Sequence, residues 1–163
     1  MSLTHDRLRE VLRYNKRTGV FTWKVAAAHR RKAGDVAGNG SGYQGRRRIR
    51  IDGTLYYAYR LAWFYVMGSW PENKIDHRNG DPTDDRWTNL RDVTHGVNMQ
   101  NQRRATRRNA TGLLGAHVTR EGRFTSSITT DHKKKRLGSF DSAEAAHEAY
   151  LKEKRRSHPG CTI

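Results

Sequence analysis

Asp76 and His77 stand side by side, Asn89 follows twelve residues after His77 and Asn98 nine after that, all within IDHRNGDPTDDRWTNLRDVTHGVNMQN. Carboxylate and amide oxygens are the ligands that a hard divalent cation such as Mg²⁺ takes, typically one or two from protein with water and phosphate supplying the rest. Asp76 and the amide oxygen of Asn98 suffice for that purpose. His77 is left to move protons, because an imidazole titrates close to neutral pH. The combination reads as a metal-dependent nuclease site.

The elements that must hold these groups are short. Ile75-Asp76-His77 has the character of a strand, and Asn79-Gly80-Asp81-Pro82 supplies successive turn formers that reverse the chain. Leu90-Arg91-Asp92-Val93 returns as a second strand, and Thr94 caps a helix from about His95 that carries Asn98. Neighbours on an ideal strand point to opposite faces, so the first strand is expected to bend or end at Asp76.

Together with Tyr59-Arg60-Leu61-Ala62 upstream, the pattern DHxNGDPxDxRxxNLRxVT resembles the HNH homing endonucleases of phages and self-splicing introns, a family with a ββα-metal fold, over residues 59–102. The resemblance implies Asp76 and Asn98 as ligands of Mg²⁺ or Mn²⁺ and His77 as general base. It implies Asn89 as the residue whose amide oxygen orients His77, and Arg60 as a cation beside the scissile phosphate. Taken singly, each has a plainer reading: a turn asparagine, a solvated helix asparagine, a surface carboxylate, a structural histidine, a surface ion pair.

Charge agrees with a polyanionic partner. Residues 1–70 carry fourteen Lys/Arg against four Asp/Glu, residues 71–102 four against six, and residues 103–163 fourteen against six. Basic flanks around an acidic centre suit DNA held with a cation. No run approaches the ~18 apolar residues of a membrane span, and no apolar leader opens the chain, so a cytoplasmic protein is expected. The single cysteine, Cys161, excludes an intrachain disulfide and a cysteine-based zinc cluster. His29, His95, His117, His132, His147 and His158 share no close ligand spacing, and no Gly-rich Lys-Ser/Thr loop suggests a nucleotide cofactor.

Before the motif, Leu3, Leu8, Val11 and Leu12 predict a helix over 3–13 with Thr4 as cap, Val20–Val25 a strand, and Ala26–Gly45 a glycine-rich loop. Arg46–Ile51, Asp52-Gly53 and Thr54–Tyr57 predict a hairpin, and Ala58–Met67 a helix. Arg46, Arg47, Arg48 and Arg50 on that ribbon could enter a groove or meet phosphates, or guard an edge strand with charge.

After it, the basic stretch 103–112, with Arg103, Arg104, Arg107 and Arg108, reads as a linker. Leu113–Val118, Arg123–Thr130 and Lys135–Phe140 predict three strands, with turns at Glu121-Gly122 and Asp131–Lys134, and Ser142 starts a helix. Gly112–Ala116, Gly122-Arg123-Phe124, Leu137–Asp141 and Ala143–Tyr150 resemble the ethylene-response-factor-type DNA-binding domain, with Phe124 where that family has Trp. That resemblance implies a sheet lying in the major groove. Arg120, Arg123, Lys133, Lys134, Lys135 and Arg136 suit phosphate contacts, and a small packing module with a charged surface is the plainer alternative.

The expected architecture is thus α+β and modular: a basic DNA-contacting region with a hairpin (1–57), a ββα-metal nuclease core (58–102), a basic linker (103–112), and a three-stranded sheet packed on one helix (113–163). The expected function is hydrolysis of double-stranded DNA by a phage or mobile-element nuclease acting in a bacterial host. A monomer is favoured and a homodimer is open. The rivals are a DNA-binding regulator or packaging-associated factor with a vestigial site, and an RNA-binding or RNA-cutting protein.

Overall fold

The structure is a computed structural model that describes residues 3–26, 32–130 and 133–163. His29, His132 and parts of the expected 26–45 loop and 131–134 turn lie outside the described residues. By its contacts the chain divides into two compact units, Met1–Thr94 and His95–Ile163.

In the first unit, Thr4 caps α1 (His5–Val11), its hydroxyl accepting the Arg7 N–H at 3.2 Å. The helix expected through residue 13 ends at Val11, because Leu12 turns extended and opens β1 (Leu12–Tyr14), which pairs antiparallel with β2 (Phe21–Trp23). The spacing of Leu8, Val11 and Leu12 also fits a helix, but the long-range pairing claims residues 12–14 and still buries Leu12 and Tyr14. β3 (Arg48–Ile51) and β4 (Thr54–Tyr57) form the expected hairpin, with Asp52 and Gly53 both at positive φ as a two-residue turn requires. α2 (Ala58–Met67) follows and ends at Gly68, whose φ of 77° lets its N–H close back on the Phe64 carbonyl.

Leu8, Leu12, Phe21, Ile49 and Leu61 are fully buried in one cluster. Each contributes about 1.5–3 kcal/mol by leaving water. This core draws on α1, β1, β2, β3 and α2 together, so it crosses the position between residues 57 and 58 where the sequence suggested a boundary. Against it lies the last pair of strands, β5 (Lys74–His77) and β6 (Leu90–Val93), antiparallel, through Ile75 and Leu90.

The second unit contains α3 (His95–Gln100) and an antiparallel sheet in the order β7 (Ala116–Val118), β8 (Phe124–Thr130), β9 (Lys133–Phe140), with α4 (Ala143–Ser157) packed on it. Ser142 caps α4 by accepting the Ala145 N–H at 3.1 Å. β7 begins at Ala116 rather than Leu113. The Asn109 amide donates to the carbonyls of Leu113 and Ala116, both at 3.0 Å, and draws residues 113–115 into a turn. The end of the expected linker is thereby tied to the sheet. Among the described residues the fold is α+β, with four helices and four small antiparallel sheets. None of these helices is long and apolar enough to cross a membrane.

Candidate active site

β5 carries the two residues that the sequence singled out first. Asp76 faces Arg91 across the ladder, and His77 faces Leu90 as the strand's last residue. The expected bend or end at Asp76 does not occur: pairing continues in register through His77, and the two side chains go to different partners as strand alternation dictates. Asp76 is buried and accepts at Oδ2 from the Arg91 guanidinium, at 2.8 Å from Nε and 2.7 Å from the terminal nitrogen. A carboxylate this deep requires such a partner, since burial of an uncompensated charge is costly.

His77 is also buried, and its Nε2 lies 3.0 Å from Oδ1 of Asp85. Asp85 is as buried as His77, and the edge of the Tyr59 ring packs on the imidazole at 5.4 Å between centroids. Burial pushes the Asp85 carboxyl up from its usual range, opposed by the hydrogen bond with His77 and by the cations of Arg46 and Arg47. Its backbone is pinned from the N-terminal hairpin: the Tyr14 hydroxyl donates to the Asp85 carbonyl at 2.6 Å, and Trp87 N–H donates to the Lys16 carbonyl at 3.0 Å. Gly19, at φ 74°, approaches so closely that a Cβ there would sit 2.5 Å from the Asp85 carbonyl carbon.

Asn89 closes the loop between the strands. Its Oδ1 accepts the Asn79 N–H at 2.9 Å and its Nδ2 donates to the Asp84 carbonyl at 2.7 Å. Asn79 in turn donates from its amide to the Asp84 carboxylate at 2.7 Å, and Asp81 accepts from the N–H and hydroxyl of Thr83 at 2.9 and 2.7 Å. The geometry therefore ties Asn89 to the loop backbone, whereas the group within hydrogen-bond distance of His77 Nε2 is Asp85. Asp85 carried no role in the sequence reading. The available signal was an acidic pair in a loop otherwise made of turn formers.

Asn98 lies half-buried on α3 in the second unit. Among the described residues no three His, Cys, Asp or Glu side chains gather as a metal-binding group. The donor set still fits a hard cation, which needs only one or two protein oxygens, and the Asp76 carboxylate is a preordered one.

Several cations of the first unit are engaged locally. Arg46 lies over the Tyr59 ring at 5.1 Å, Arg47 donates to the Gly38 carbonyl, Arg48 to Ser41 and Arg50 to the Gly53 carbonyl. Arg60, half-buried on α2, lies 5.9 Å over Trp70. Arg46 is linked to His77 by contact through Tyr59. In the second unit Arg104, Arg107, Arg108, Arg120, Lys133 and Lys134 are exposed, Arg123 pairs with Asp141, Lys135 with Glu153, and Arg136 donates to Ser139. Arg103 is half-buried and donates to the Thr162 carbonyl and hydroxyl.

No curated protein and no solved structure matches the chain. A family model described as HNH endonuclease matches residues 56–100, which run from the end of β4 through α2, β5 and β6 into α3. Asp76, His77, Asp85, Asn89 and Asn98 all fall within that span, and this segment is similar to HNH endonuclease domains.

Proposed function

We infer that this chain hydrolyses phosphodiester bonds in double-stranded DNA with the help of one divalent metal, as an endonuclease of the homing or nicking kind that phages and mobile elements encode. The observation that carries this reading is the buried Asp76-His77 pair at the end of β5, inside the segment matching HNH endonucleases.

His77 takes a proton from the attacking water as general base. Asp76 would hold Mg²⁺ or Mn²⁺, which would supply positive charge against the negative charge growing on the phosphate, and the motif assigns Asn98 to metal as well. Asn89 keeps the intervening loop in shape through Asn79 and Asp84. Arg46, over the Tyr59 ring, and Arg60 add positive charge beside the scissile phosphate. The exposed Arg104, Arg107, Arg108, Arg120, Lys133 and Lys134, with Arg103, Arg123, Lys135 and Arg136, grip DNA phosphates. The sheet of the second unit acts as an ethylene-response-factor-type DNA-binding module. The motif occurs once in the chain, so a bound monomer nicks one strand in the cytoplasm of the host cell.

Plasmid relaxation with Mg²⁺ or Mn²⁺, with EDTA as control, tests the reading. His77→Ala is expected to lower cleavage by roughly 10²- to 10⁴-fold and to leave DNA affinity unchanged, because a general base contributes to rate and little to phosphate binding. Wild-type protein that leaves duplex DNA intact with both metals, or His77→Ala that cleaves at the wild-type rate, overturns it.

A further inference from the structure

We propose that Asp85 is the positioning residue of His77, its carboxylate accepting the Nε2–H and so fixing the imidazole in the tautomer whose basic lone pair is on Nδ1. The proposal rests on the nuclease reading of His77 and adds a residue to it.

Three observations carry it. The first is distance and burial: Oδ1 of Asp85 is 3.0 Å from Nε2, and both side chains are only 4% exposed, so water competes poorly for either group. The second is that Asp85 is held from its backbone. Tyr14 donates to its carbonyl and Gly19 packs against its carbonyl carbon, which fixes where the carboxylate can reach. The third is the Tyr59 ring packed at 71° to the imidazole, which restrains the ring plane from another side. A neutral imidazole carries its proton on one nitrogen only, and the hydrogen bond at one nitrogen decides which one accepts. With the proton held on Nε2, Nδ1 is the nitrogen that takes the proton of water. Asn89, engaged with Asn79 and Asp84, leaves this task to Asp85.

The test pairs kinetics with a readout on metal-free protein. In Asp85→Ala, kcat for plasmid nicking is expected to fall by ~10- to 100-fold, by analogy with removal of a partner that orients a metal-bound histidine, while KM for DNA stays within about twofold. Asp85→Asn, which keeps an acceptor oxygen, is expected to recover part of the loss. Nitrogen NMR of the wild-type imidazole, at a pH where it is neutral, is expected to report a proton on Nε2. The proton distribution in Asp85→Ala should shift toward a mixture. Asp85→Leu serves if the alanine variant fails to fold, and the wild-type spectrum stands without any variant. A wild-type proton on Nδ1, or Asp85→Ala cutting at the wild-type kcat, overturns the proposal. If wild-type protein does not cut DNA at all, the nuclease reading fails instead, and the tautomer measurement still decides the pairing.

Discussion

Arg91→Met tests how far the fold of the first unit depends on its buried ion pair. The substitution keeps an unbranched side chain of similar length and removes the charge that neutralises Asp76. In the native structure two donors converge on Oδ2 at 2.8 and 2.7 Å, and the side chains of Arg91 and Asp76 are 14% and 8% exposed. Removing one partner of a buried pair costs about 3–5 kcal/mol, since the remaining charge stays desolvated. The residual exposure of Arg91 lets some water reach the carboxylate, which places the expected loss at the lower end, about 3 kcal/mol. For a unit of this size that is a fall in Tm of roughly 12–24 °C. Asp76→Asn in the same background removes the orphaned charge, so the double variant is expected to be more stable than the sum of the single losses by about 2 kcal/mol. Urea titration in EDTA followed by tryptophan fluorescence reads this directly, because Trp23, Trp63, Trp70 and Trp87 all lie in the first unit. Single and double losses that add within about 0.5 kcal/mol would refute the coupling.

In the second unit, Gly115→Ala is expected to cost about 3 kcal/mol: φ there is 78°, and a Cβ would fall 2.0 Å from Cγ of Tyr150. Far-UV circular dichroism should show this loss while the tryptophan transition of the first unit stays in place. Replacing both exposed Lys133 and Lys134 by alanine is expected to make the slope of log affinity against log salt shallower by about 2, one phosphate per lysine, as measured by fluorescence anisotropy with duplex DNA. An unchanged slope would remove this edge of β9 from the DNA contact.

Much of the architecture could be read from local signals. Asp52-Gly53 announced a hairpin because few residues tolerate two consecutive positive φ values, and Ala58–Met67 announced α2. The strand-loop-strand order around Asp76 and His77 followed from turn formers between two short strand-like stretches. What the sequence hid depends on residues far apart in the chain. Asp85 sits in the run Asp84-Asp85-Arg86, which by composition is a solvated loop; it is buried because Tyr14 and Gly19, more than sixty residues earlier, fold over it. β1 escaped notice for the same reason, since only its pairing with Phe21–Trp23 separates Leu12–Tyr14 from the helix before it. The Asn89 amide could have reached either His77 or the loop backbone, and one-dimensional spacing does not distinguish them.

The closure of the Asn15–Gly19 turn over Asp85 makes the N-terminal hairpin a condition of the chemistry as well as a neighbour of it. If β1 and β2 come apart, Asp85 loses both its anchor and its cover, and the imidazole loses its fixed proton in the same event. A chain still emerging from folding, or one partly unravelled by heat, therefore holds the motif residues without the arrangement that lets them act. On the proposed pairing, the motif residues alone are therefore not sufficient, and the N-terminal hairpin must be folded for them to act.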